Sequence, residues 1–173
     1  MTRAAWLIVI SGLALQGCTP PKPVRLGAPI EGYSHTSAAI NRFSVNRGGG
    51  PNISPYSGGG KQNCCASLPV KWHPGLTVVV EWVKDPDPYA YGRWPERVFS
   101  DAWSKRMEEH KTRYTRHRAV VPVARYEELG LVNVHFLPCN QVAVSAGATY
   151  PGRPDYPFHF PQKIQEPATC PES

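Results

Sequence analysis

The chain has 173 residues, 41% of them hydrophobic, with 19 lysines and arginines against 13 acidic side chains, a formal net charge of +6. That length suits one domain with a core large enough for independent stability, and leaves no room for several. Nineteen prolines and fifteen glycines predict long connections and a loop-rich fold.

Arg3 and the apolar run from Ala4 to Leu15 read as a secretory signal. Twelve residues fall short of the ~20 that a helix needs to cross a bilayer. The run ends in Leu15-Gln16-Gly17-Cys18, which resembles the lipobox of bacterial lipoproteins. By that resemblance Cys18 becomes the lipidated first residue of the mature chain. Thr19 in place of aspartate then favours the outer membrane, with the domain facing the periplasm. Residues 1–17 are thus a signal peptide, 18–29 a proline-rich tether, and 30–173 one domain. Without Arg3 the balance is 18 basic to 13 acidic groups, or +5. An exported chain meets no genome, so this charge points to anionic headgroups or an acidic protein partner rather than nucleic acid.

Within the domain, Glu31 to Val45 holds two short strand-like stretches. Two glycine triplets, Gly48–Gly50 and Gly58–Gly60, predict an exposed loop. Leu76 to Val83 is the clearest strand, with Leu76, Val78, Val80 and Trp82 on one face. A helix is predicted from Pro95 to His110, where Phe99, Ala102, Trp103, Arg106 and Met107 recur at helical spacing. Ala119–Val123 and Leu131–Leu137 read as strands, the second turning through Pro138-Cys139-Asn140 into Gln141–Ser145. The last 27 residues hold six prolines and predict an extended tail. The class is α+β: a mainly antiparallel β domain with one principal helix and long Pro/Gly-rich loops.

Cys64, Cys65, Cys139 and Cys170 remain once Cys18 is acylated, and an oxidising compartment argues for two disulfides. Adjacent side chains of an extended segment point to opposite faces. Bridges from Cys64 and Cys65 to Cys139 and Cys170, in either order, are therefore favoured over a strained ring between neighbours. Loops longer than ~70 residues would contribute roughly 4 kcal/mol per bridge.

Motifs for chemistry fail on inspection. Ser57 to Lys61 lacks the glycine and hydroxyl of a phosphate loop, where Pro55 and Gln62 stand. Gly32-Tyr33-Ser34-His35-Thr36 lacks the second glycine of a nucleophile elbow. The six histidines form no chelating pair, there is no CxxC, and neither Asp85/Asp87 nor Glu108/Glu109 sits in an apolar setting suited to acid/base work. No enzyme activity, metal or cofactor is expected. The cationic stretch from Lys105 to Arg118 is mostly a solvated helix end. Its alternative is a docking face, in which Lys61, Lys105, Arg106, Arg113 and Arg116 are the candidate contacts, with Trp94, Trp103, Tyr89, Tyr91 and Tyr114 nearby.

Taken together, the lipobox, Gly32–Thr36, Phe43-Ser44-Val45-Asn46, the glycine loop and Cys64-Cys65-Ala66-Ser67-Leu68-Pro69 leading into Trp72-His73-Pro74-Gly75-Leu76 resemble one family of Gram-negative lipoproteins, long described only as a domain of unknown function. The likeness is good over residues 15 to 85 and looser beyond. Members resemble the immunity lipoproteins that accompany type VI secretion lipase effectors. The resemblance implies a non-catalytic protein that binds and neutralises a phospholipase in the periplasm, and offers no catalytic residues to carry over. The alternative expectation is an envelope lipoprotein that scaffolds a membrane complex.

Overall fold

The computed structural model describes residues 23–171. Cys18 and the signal segment lie outside them. Eight strands form two four-stranded sheets: β1 (Arg25–Ser34), β4 (Asn63–Pro69), β7 (Leu129–Phe136) and β8 (Val142–Gly147) in the order β4-β1-β7-β8, and β2 (Ala39–Val45), β3 (Gly48–Gly50), β5 (Thr77–Asp85) and β6 (Thr115–Pro122) in the order β3-β2-β5-β6. All pairings are antiparallel except β1 with β7, where Ile30 to Ser34 run beside Val132 to Phe136. One α-helix, α1 (Asp101–Lys111), joins β5 to β6. The domain is α+β and mainly β, as its sequence implies.

The core lies between the sheets. Alternation puts Ile30, Val132, Val134 and Val144 of the first sheet against Phe43, Val45, Val78, Val80 and Trp82 of the second, all buried. Phe43 packs its ring so closely over β3 that a Cβ at Gly50 would stand 2.0 Å from Phe43 Cζ. This close approach explains Gly50, and a Cβ at Gly48 would stand 2.3 Å from Cys65 O, while Gly49 faces open space. Both ends of the triplet thus need glycine inside a strand, where an exposed loop was expected.

Several boundaries differ from the sequence reading. Arg25–Pro29, expected in the tether, form the first half of β1, because Arg25 to Ala28 find partners in Pro69 to Ala66. The helix begins at Asp101 rather than Pro95. Ser100 Oγ accepts a hydrogen bond from Trp103 N and caps it, and Phe99 takes a left-handed backbone (φ 66°) that no helix continues. Only His110 of α1 is buried, so the helix lies across neither sheet.

The disulfides correct the expected pairing: Cys64 bonds Cys65 across a cis peptide, and Cys139 bonds Cys170. Strand order explains why the long bridges cannot form. β1 lies between β4 and β7, and Cys64 and Cys65 sit beside Ala28 to Ile30, whereas Cys139 follows Phe136 opposite the end of β1. Two strand spacings already amount to roughly 10 Å sideways, beyond the reach of a disulfide.

Cys139 and Cys170 are 31 residues apart, so that bridge should contribute roughly 3–4 kcal/mol by restricting the unfolded chain. A bridge between neighbours closes no comparable loop. Urea unfolding of Cys170→Ser should therefore lose most of that amount relative to the wild type. A loss below about 1 kcal/mol would contradict the tail's dependence on the bridge.

Candidate functional site

Three surfaces have functional potential. The first is the outer face of the sheet built on β1 and β7. Positions that alternate with the core residues carry Glu31, Tyr33, Asn133, His135 and Ser145, and instead of meeting solvent they are covered by the C-terminal tail. Tyr156, Phe158 and Phe160 of that tail pack around His135, with ring centroids 5.5 to 5.8 Å from it, while Tyr33 stacks on the same imidazole at 4.9 Å.

The hydrogen bonds here have one consistent direction. Pro161 O can only accept, so His35 Nδ1 donates to it at 2.7 Å. His35 Nε2 must then accept from His135 Nδ1 at 2.9 Å. His135 Nε2 in turn accepts from the Tyr156 hydroxyl at 2.6 Å, and Tyr156 accepts from Ser145 Oγ at 2.9 Å. Every ring nitrogen in this chain of bonds is occupied. Burial, with the neighbouring His35 second, pushes His135 down to about 3. Burial likewise lifts the Tyr156 phenol to about 12, and lifts Tyr33, which also donates to Glu31 Oε2 at 3.0 Å, above the usual tyrosine range. A cleft of about 480 Å³ opens beside this network between Tyr33, His35, Phe158, Phe160 and Gln162.

Neither discarded motif is revived by the geometry. Ser34, the would-be nucleophile, is buried at the end of β1 and donates to Ala38 O at 3.1 Å. Gly58 packs on Tyr33, where a Cβ would stand 2.5 Å from Tyr33 Cα, and Ser34 N bonds Ser57 O at 2.7 Å, so this part of the glycine segment is a fitted connection. Among the described residues the grouped metal-type ligands are Cys139, Glu166 and Cys170, and the two sulfurs are bonded to each other.

The second surface is the open outer face of the sheet built on β2, β5 and β6. Arg42, Ser44, Arg47, Glu81, Arg116 and Arg118 line a groove of about 750 Å³ there. Arg118 reaches Glu81 at 3.5 Å, while among the described residues no carboxylate pairs with Arg42, Arg47 or Arg116. The third is the excursion from β5 to β6, held at its root by a buried pair, His110 Nε2 with Asp85 Oδ2 at 3.2 Å.

The expected contact residues are dispersed. Arg116 lies in the arginine groove. Arg106 instead pairs with Glu96, whose carboxyl it holds below the usual range, and lies over the Trp94 ring. Arg113 folds back onto His110 and stands 4.0 Å from Asp87. Lys105 is exposed on α1, and Lys61 lines a separate cleft of about 220 Å³ with Pro51 and Ile53. The sequence reading missed Arg42 and Arg47, and placed Arg118 at the end of the cationic stretch without naming it as a contact. The alternation Arg116-His117-Arg118-Ala119 was the available signal, because the residues between the arginines turn inward.

These features define a two-sheet β domain with one sheet covered on both faces around β7 and the other open and cationic. The chain belongs to the family DUF3304, proteins of unknown function, whose sequence profile matches residues 33–144. No curated protein and no solved structure matches it.

The buried histidine gives a pH dependence of definite sign. His135 has a folded pKa of about 3, below the ordinary 6.5, so between those values the unfolded chain binds more protons. Stability is full above pH 6.5 and falls as pH drops toward 3, by up to about 1.4 kcal/mol per unit. Urea midpoints from pH 8 to pH 4 should fall along this slope in the wild type and more shallowly in His135→Asn. Parallel curves would refute the assignment.

Proposed function

We propose that the protein is a periplasm-facing outer-membrane lipoprotein, anchored through Cys18, that binds a secreted lipase-type effector and neutralises it by occlusion. The observation that carries this reading is the open sheet face where, among the described residues, Arg42, Arg47 and Arg116 have no carboxylate partner, beside a groove of about 750 Å³. A row of unpaired guanidinium groups on a rigid sheet is an unfavourable surface to keep unless something anionic meets it. Its breadth suits a protein segment better than a small molecule. The lipobox-like Leu15-Gln16-Gly17-Cys18 and the disulfide-bonded state of the remaining cysteines fit an anchored protein in an oxidising compartment. Neutralisation by covering an active site needs affinity and shape, and no chemistry of its own.

The test is protection. A lipase encoded beside this chain, directed to the periplasm of a sensitive host, should kill, and co-production of the full lipid-anchored chain should restore survival. The purified pair should form a complex whose association slows about tenfold, at low salt, when Arg42 and Arg116 are both replaced by glutamate. Absence of rescue despite normal export and oxidised cysteines would overturn the reading in favour of a scaffolding lipoprotein.

A further inference from the structure

The excursion between β5 and β6 gathers several local costs in one place. Phe99 is 85% exposed and holds a left-handed backbone at φ 66°. That conformation is unfavourable for a bulky side chain and cannot be explained by burial, because the ring is turned outward. Tyr89, Tyr91 and Val98 are each half or more exposed on the same excursion. Beneath them Trp94 and Trp103 meet edge to face at 6.0 Å, and Phe99 leans on Trp103 at 5.4 Å. Trp103 Nε1 and Glu96 Oε2 are buried with no hydrogen-bond partner among the described residues. Large aromatics supported by other aromatics, with arginines at the margin, have the composition of an interface hot spot.

The topology says where this cluster faces. Val24 and the start of β1 lie with Val70, Trp72, Leu76 and Val123 at one end of the sandwich, through the bonds Val70 N to Val24 O, Trp72 Nε1 to Val123 O and Val123 N to Leu76 O. The end of β5 lies at the other, where Ala39 pairs Asp85 and Lys84 bonds Asn140. Ten-residue β1 separates the two ends by roughly 30 Å. The excursion is rooted at the far end through His110 and Asp85. Its eleven-residue helix is about 16 Å long, so Phe99 lies no nearer the anchored end than about the middle of the sandwich however α1 leans. Tyr89 and Tyr91 follow Asp85 closely and stay at the far end. A lipid on Cys18 would hold the opposite end against the bilayer. The aromatic cluster therefore points away from the membrane that anchors the chain.

We infer that Phe99, with Tyr89, Tyr91 and Val98, is the anchor of a protein-docking surface that enters an apolar pocket on an acidic partner. This deepens the proposed function and rests on its lipid anchor for the orientation. The acidic character follows from the arginine groove next to the excursion, to which a second cleft lined by Asn41, Arg42, Lys111 and Arg116 connects it. On the excursion itself Arg97 and Lys105 stand among Asp101, Glu108 and Glu109, and Lys111 pairs with Glu108. The other occupant of such a cluster is the membrane surface.

The deciding experiment places p-benzoylphenylalanine at position 99, and in a second variant at the exposed Lys71 near the anchored end, of the full lipidated chain in its own host. Illumination should join position 99 to a discrete protein, identified by mass spectrometry. Position 71 should not yield that adduct. The purified adduct partner should bind Phe99→Ala about thirtyfold more weakly than the wild type, as for a central hot-spot side chain, with affinity falling as salt rises. Phe99→Gly should unfold at the same or a higher temperature than the wild type, which separates lost binding from lost folding. Adducts with phospholipid, no adduct, or a partner indifferent to Phe99→Ala would overturn the inference. A protein adduct other than a lipase, with no protection in the killing assay, would leave the docking surface standing and remove the immunity reading. Protection undiminished in Phe99→Asp would do the reverse.

Discussion

The double-sided burial of β7 is the constraint on which the rest of the molecule depends. Every residue from Leu131 to Phe136 is buried, yet a strand has two faces and only one can meet the core. Its second face carries Asn133 and His135, and these polar groups require partners in a place water does not reach. Tyr156 and His35 supply both nitrogens of His135, and Ser145 and Leu131 O take the Asn133 amide N–H groups. The tail is therefore structural even though its described residues form no helix or strand. The bridge from Cys139 to Cys170 then ties the end of that tail to the turn that follows β7.

From this arrangement the division of labour between the sheets follows. One sheet is closed on both sides around β7, where its histidines and tyrosines are locked together. The other is closed on one side only, and its solvent face and the excursion beyond it carry the arginines and exposed aromatics. Rigidity on one side would serve the recognition proposed for the other, because an interface gains little from contacts that must first be ordered. The buried His110–Asp85 pair extends the same rigidity to the root of the excursion.

How much of this could be read from the residues depends on how local each signal is. β5 was legible because Val78, Val80 and Trp82 alternate with Thr77, Val79 and Glu81 and nothing interrupts them. β1 was only half legible: its first residues, Arg25 to Pro29, have the composition of a linker, and pairing with β4 alone makes them a strand. The helix start was misplaced because Pro95 and Glu96 imitate one, although Ser100-Asp101 is a true cap and first turn. The histidine network left no local trace at all, since His35 and His135 are 100 residues apart. The disulfide pairing was out of reach for the same reason: strand order, not spacing, decides which cysteines meet. Phe99 shows the opposite failure, in which a helical spacing suggested a packed face for a ring that is exposed.

The parallel pairing of β1 with β7 has a consequence for how the chain is made. Residues 30–34 lie beside 132–136, so the central ladder of one sheet joins segments about as far apart as the domain permits. A polypeptide that emerges N-terminus first cannot complete that ladder until most of its length is free, and contacts of such long range slow folding. The hairpin-like neighbours β2, β3, β5 and β6 can associate earlier. During synthesis the chain therefore stays without its finished first sheet, and locks only after the last segment arrives to cover His135.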